Sequence, residues 1–464
     1  MVALAIAIIV LLILVLWYVG RKQTVFDNLF FDNNGTTQPH RAVVKEMAQS
    51  AWLGNASSIY AWGAKKKLED LRESVLKWCQ ADHHKVIITS GASEANNLLI
   101  RSMVDHHWRV KPVTGRGISA KPHIIMSSIE HKTSIDCAKL LREEGRADVS
   151  FISPDNQGNL SLKDIAAAIN DRTILISIMS ANNELGNLLP VEEIAELAAA
   201  REIPFHTDAV QTFGKHQPNM KNMSALSMSF HKMHGPQGIG VLVLDSNLAE
   251  ELEGQIAGSQ NFHLRGGTEN VVAAAGALKA MKITLADRAK KNQKMLDMKR
   301  RAVKKLSEAF MILDFEKFAG KTDEAAEAMT ATPVQFDVTR DHKSRTPKGM
   351  IILGPTNKLG LPDDLRTNPN TLLVSVVNMR NSNTVPYERF CNIKFKSDLA
   401  ADGAIVSIGS ACQTGEKGAS HVLKEISAPF VVRCGVIRIS LSDYNTMSQV
   451  DSLCKKFIDA AWLQ

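Results

Sequence analysis

Four side chains stand where this 464-residue chain could do chemistry: Lys232, Asp208, His131 and Cys412. Lys232 lies in Ser229 to Gly240, SFHKMHGPQGIG, between two short apolar runs, Ala225 to Met228 and Gly240 to Leu244. The runs read as buried strands and the Gly/Pro-rich stretch as the turn joining them, so the lysine sits where a strand ends. That carboxyl edge is where open α/β sheets bind ligands. An amine desolvated there loses basicity and becomes able to form a Schiff base with a carbonyl. A lone lysine at such a place is usually a solvated one, so the reading needs companions.

The companions close other strand-like runs. Pro204 to Gln211, PFHTDAVQ, ends its apolar part at Asp208, whose carboxylate could pair with a protonated ring nitrogen and make that ring an electron sink. His123 to Ser127 leads into Ser128, Ile129, Glu130 and His131, and an imidazole at that edge can stack on a planar ring and move protons near neutral pH. A buried, hydrogen-bonded core histidine is the competing reading. Cys412 lies in Ser407 to Gly415, SIGSACQTG, where small residues describe an exposed, mobile loop that lets a thiol visit one site and then another.

The elements that must position these groups are legible in outline. Val86 to Ser90, VIITS, is an apolar strand running into Gly91, Ala92, Ser93 and Glu94 and then a helical stretch, and a helix start offers free N–H groups to a phosphate. Arg41 to Ala51 reads as a helix, Gly54 to Gly63 as a turn-rich loop, and Ala64 to Gln80 as a charged amphipathic helix. A strand over Thr173 to Met179 feeds the ANNELG turn, and a long charged helix runs from about Asp287 to Met311. The composition, 45% apolar and 22% charged, is that of a globular α/β protein with room for two lobes.

Ten stretches then occur in one characteristic order: FDNNGTTQPH, GNASSIYAWG, ITSGASEANNLLI, SIEHKTSI, ANNELGNLLPVEEIA, FHTDAVQTFGK, SFHKMHGPQGIG, LRGGTEN, SIGSACQTG and IRISL. From about residue 29 to its C-terminus the chain resembles the NifS/IscS-like cysteine desulfurases, a group of class V, fold-type I pyridoxal phosphate enzymes. The resemblance implies a large domain, residues 41–282, with a mostly parallel sheet flanked by helices. A smaller C-terminal α+β domain follows at 283–464, and residues 23–40 form an extended lead-in. Residues 314–395 match the family least and read as holding an inserted surface loop.

The resemblance also implies roles. Lys232, Cys412 and His131 would be catalytic. The cofactor would be held by Ala92, Ser93, His131, Asn183, Asp208, Gln211, Ser229, His231 and Lys232, and by Thr268 reaching across a homodimer. Asn183 and Arg438 would bind the substrate, the arginine gripping its carboxylate with a planar fork. The reaction would convert L-cysteine to L-alanine, leaving a persulfide on Cys412 for a sulfur-acceptor protein such as an iron-sulfur scaffold. Three departures stand out: Tyr60 replaces a histidine, Phe230 replaces a glycine, and Asn261 to His263 replace an acidic, basic, glycine order. A selenocysteine lyase, another class V aminotransferase and a non-catalytic, membrane-tethered relative remain as alternatives.

The rest of the chain narrows the compartment. Val2 to Gly20 is almost unbroken Ala, Val, Ile and Leu, closes with Trp17 and Tyr18, and is followed by Arg21 and Lys22. It reads as a transmembrane anchor over residues 1–22, with the positive flank placing the enzyme in the cytosol as a single-pass membrane protein. Six scattered cysteines without a CxxC pair suggest reduced thiols and no metal site. Much of the formal charge of +7 lies in scattered clusters without interleaved aromatics, which reads as solvated helix faces rather than a nucleic-acid surface.

Overall fold

The computed structural model describes residues 28–110, 120–321, 348–378, 390–409 and 420–464. A short strand, β1 (Leu29–Phe30), opens the described chain. The dominant feature is a sheet of β2 (His84–Thr89), β3 (His123–Ser127), β4 (Asp148–Ile152), β5 (Thr173–Ser177), β6 (Phe205–Asp208), β7 (Ala225–Ser229) and β8 (Gly240–Asp245). Its order is β2-β8-β7-β6-β5-β3-β4. Only β8 runs against its neighbours, pairing antiparallel with both β2 and β7. Two reversals restore direction, so β2 is parallel to β7 and ends at the same edge as β3, β5 and β6. The strands are apolar on both faces because both faces are covered. Ile88, Ile125, Ile176 and Leu226 pack into one core, while the alternate residues Ile87, Ile124, Leu175 and Ala225 pack into the other.

A second sheet follows in the chain, built from β9 (Met311–Leu313), β10 (Lys348–Leu353), β11 (Thr371–Asn378) and β13 (Val436–Ser440), in the order β13-β11-β10-β9. One of its faces, with Met350, Val374 and Ile437, packs on the helices Arg288–Ser307 and Met447–Trp462. The other face, with Ile351, Leu373 and Val436, joins the core of the large sheet. Residues 314–395, read as holding a surface insertion, therefore contribute two fully buried strands, β10 and β11, to the middle of this sheet. The remaining strand, β12 (Ala404–Ile405), pairs in parallel with β1. That pairing ties the lead-in segment to the C-terminal part of the chain.

The membrane anchor and the single-pass membrane localisation are corrected. Among the described residues no helix is long and apolar enough to cross a membrane. Residues 1–22, on which the anchor was placed, lie outside the described residues.

Candidate active site

Because β2, β3, β5, β6 and β7 all finish at one edge, their terminal residues converge there without further design. A cavity of about 280 Å³ opens at that edge, lined by Ala92, Ser93, His131, Asn183, Asp208, Gln211, Ser229, His231, Lys232 and Arg438. The predicted strand ends and the separately predicted turn and β13 residues thus share one space. Cys412 lies outside the described residues. Thr268, expected to serve a partner subunit's cofactor, is exposed and lies away from this cavity.

Lys232 sits just past β7 in a short 3-10 turn, Phe230–Lys232. Its Nζ donates to the carbonyl oxygens of Asn34 at 2.5 Å and Gly35 at 2.7 Å. Burial brings its pKa down from 10.5 to about 7, and the positive charge of Arg438 adds to the effect, against the pull of Asp32 and Asp208. The amine is therefore close to half deprotonated at neutral pH. Asp208 ends β6 as a buried carboxylate, accepting from Asn96 Nδ2 at 2.8 Å and from the Val210 N–H at 3.0 Å.

His131 caps the helix Lys132–Glu143 through its side chain. Its Nδ1 accepts the Thr133 N–H at 3.3 Å and lies 2.8 Å from Thr133 Oγ1, which puts the ring's proton on Nε2 in the neutral form. Burial lowers its pKa, opposed by Asp208 and helped by the neighbouring Lys232. At the far end of the cavity the helix Ala92–Val110 begins, and the Ala92 N–H donates to Ser229 Oγ at 2.7 Å. Beside it His231 lies 3.1 Å from Thr36 Oγ1, its pKa depressed to about 4 by burial and by Lys232. Gln211 Nε2 reaches the Asn34 carbonyl at 3.4 Å.

Several contributors escaped the sequence reading. Asn34 and Gly35, within the FDNNGTT stretch, hold the lysine, and nothing in their type announced it. Asn96 lies about one helical turn into the helix from Ala92, the spacing that places it on the same face, and it clamps Asp208. Glu130 is fully buried behind the site, with Oε1 accepting from Ser127 Oγ at 2.5 Å and the Met179 N–H at 2.8 Å. Burial pushes its pKa up to about 8, and nearby Asp208 reinforces the rise, so it is a neutral acid at pH 7. His421 Nε2–H donates to the Glu130 carbonyl, 3.0 Å away.

Among the three departures, Phe230 fills the core completely, and Tyr60 projects into solvent. Asn261, Phe262 and His263 are three successive left-handed residues. The Asn261 side chain anchors that turn by accepting from the Ile88 N–H and from Arg72 Nη2, both at 3.0 Å.

A mostly parallel sheet with a desolvated lysine, a buried carboxylate and a helix N-terminus around one cavity is the arrangement of a fold-type I enzyme, and the chain belongs to the class V aminotransferase family, whose profile matches residues 29–344. Its relatives within that class are cysteine desulfurases. The cysteine desulfurase IscS of Clostridium botulinum strain Hall is 30% identical over 431 residues, 91% of each chain. That of Methanosarcina thermophila is 29% identical over 431 residues, covering 91% of this chain and 89% of the relative. Among solved structures, a NifS-like protein superposes with a TM-score of 0.72 at 27% identity, covering 93% of this chain and 98% of that one. SspA in complex with cysteine does so at 0.65 and 26% identity, covering 90% and 99%.

Enzymes of this family depend on pyridoxal phosphate, and the cavity's donor set fits that group. A near-neutral amine, a buried carboxylate facing the same space and the N-terminal turn of a long helix suit its aldehyde, its ring nitrogen and its phosphate respectively.

Proposed function

We propose that this protein is a pyridoxal phosphate-dependent cysteine desulfurase that removes sulfur from L-cysteine, releases L-alanine and carries the sulfur on Cys412. The observation that carries the reading is the shared cavity, in which the Lys232 amine, Asp208 and Arg438 meet. Bound pyridoxal phosphate supplies an electron sink that acidifies the substrate α-proton and weakens the bond from carbon to sulfur. The phosphate would be held by the Ala92–Ser93 helix start with Ser229 and His231, and the ring by Asp208, Gln211, Asn183 and the face of His131.

The remaining work belongs to this chain's side chains. Arg438, whose guanidinium is buried, grips the substrate carboxylate with Asn183 beside it. Lys232, already near neutrality, takes the α-proton and returns one to carbon. His131 accepts the substrate thiol proton at its ring. The Cys412 thiolate then forms a bond to the substrate sulfur as the carbon–sulfur bond breaks, the electron pair staying on carbon. An acceptor thiol, such as that of an iron-sulfur scaffold protein, later takes the persulfide sulfur.

We further infer a homodimer in which Thr268 reaches the partner's phosphate, and a division of the enzyme into residues 41–282 and 283–464. The exposure of Thr268 and of the nearby Phe262 supports the former. The test is direct. Full-length protein loaded with pyridoxal phosphate is assayed for sulfide and alanine released from cysteine, beside Lys232→Ala and Cys412→Ala. Loss of the visible cofactor band in the first variant and of turnover alone in the second is the expected result. Bound cofactor with no release of alanine from cysteine by the wild type would reject the reading in favour of another class V reaction.

A further inference from the structure

Arg438 is held in a way that gripping a carboxylate does not by itself require. Its Nη2 donates to Asp32 Oδ1 at 2.7 Å and its Nη1 to the Asn183 carbonyl at 2.9 Å. Its Nε–H is buried and has no hydrogen-bond partner among the described residues. A buried guanidinium ordinarily satisfies its donors, so an orphaned Nε marks an orientation imposed from elsewhere. The imposing contacts are the two at Nη, and Asp32 supplies the charged one.

Asp32 does not line the cavity. It lies behind Arg438, two residues past β1 and bridged to Ser440 at the end of β13, so the carboxylate and the guanidinium are carried by paired backbone. The same residue braces the lysine: its carbonyl accepts the N–H groups of Gly35 and Thr36, and the turn so formed presents the Asn34 and Gly35 carbonyls to Lys232. The fit is tight, because a side chain at Gly35 would meet Asp32 Oδ2 at 2.9 Å. Arg438 and Lys232 therefore face one cavity, and Asp32 is the acid paired with the first of them.

We propose that Asp32 is a positioning residue for the desulfurase reaction, setting the plane of Arg438 so that its remaining Nη hydrogens meet the substrate α-carboxylate. The inference rests on the assignment of Arg438 to that carboxylate. Asp32 makes no contact with the reacting atoms; it acts through the arginine. Removing its charge frees the guanidinium to turn toward whatever satisfies Nε, and the fork is lost although the arginine remains.

The test compares holoenzyme carrying Asp32→Asn, Asp32→Glu and Arg438→Ala with wild type. Binding of L-alanine and of ethylamine, which lacks the carboxylate, is measured by calorimetry alongside KM and kcat for L-cysteine. Asp32→Asn is expected to weaken L-alanine binding and raise KM about tenfold, the scale of one charged hydrogen bond, while ethylamine binding and kcat change by less than about threefold. Asp32→Glu, which keeps the charge one methylene away, is expected to recover part of the loss, and it carries the test if the asparagine variant does not fold. Unchanged or tighter L-alanine binding in Asp32→Asn, with binding lost in Arg438→Ala, overturns the role of Asp32 alone. L-alanine binding that survives Arg438→Ala overturns the arginine's assignment instead.

Discussion

Lys232 owes its reactivity to burial rather than to an adjacent base. Among the described residues no carboxylate touches its Nζ; two backbone carbonyls do, and the neighbouring Arg438 disfavours its proton. A lysine whose pKa falls to about 7 is mostly neutral above that pH and mostly protonated below it. Capture of pyridoxal phosphate by the cofactor-free protein should therefore quicken from pH 6 to pH 8 and level off beyond, as stopped-flow absorbance would record. A rate flat across that range would contradict the assignment. Glu130 gives a prediction of opposite sign. Its pKa is raised from 4.5 to about 8, so between those values the folded protein holds a proton the unfolded chain has released, and stability falls as pH rises. Glu130→Gln removes that titration. The variant should match wild type near pH 4.5 and gain on it by about 4 kcal/mol at pH 8 in denaturant titrations.

At the scale of elements, the site depends on how closely β2, β7 and β8 end together. Gly240 begins β8 opposite Ser229, and a side chain there would lie 2.4 Å from the Met228 carbonyl oxygen and 2.6 Å from Gly91 Cα. Both obstacles are backbone and cannot swing aside. Gly240→Ala should cost about 3 kcal/mol of stability. It should also loosen cofactor binding, because relief comes by pushing Gly91 and the helix start away from Ser229. Thermal melts with and without pyridoxal phosphate would show both, and an alanine variant that binds cofactor normally would speak against the helix start as the phosphate cradle. The element most underestimated from sequence is the lead-in to the first helix. The sequence reading gave it only as an extended lead-in, yet residues 32–37 touch Arg438, Lys232, Gln211 and His231.

At the scale of the whole molecule, the two sheets are joined through shared core and through that lead-in: Asn34 Nδ2 bonds Thr371 Oγ1 of β11 at 2.8 Å while its carbonyl holds Lys232. Within eleven consecutive positions, Trp52, Ile59, Tyr60 and Trp62 are between 78% and 91% exposed. Apolar groups so clustered are covered in a stable assembly, and a second copy is the inferred cover. Trp62→Asp should shift full-length protein from dimer toward monomer in sedimentation velocity. A monomeric wild type would remove the dimer from the proposal.

The amino-acid sequence by itself determined the strand ends and turns of the site. Short strand-like runs stop at Ser90, Asp208 and Ser229, and glycines mark where backbones come close. It also disclosed the family, because ten ordered stretches are hard to assemble by chance. Within 314–395, the stretch that matches the family least, it did not disclose the apolar strands β10 and β11. Only the tertiary structure decided that the antiparallel β8 returns β2 to the common edge, and that Asp32, 406 positions from Arg438, pairs with it. Long-range pairing leaves no local periodicity to read, and a pKa such as that of Glu130 or Lys232 is set by everything packed around the group, which a linear order does not contain.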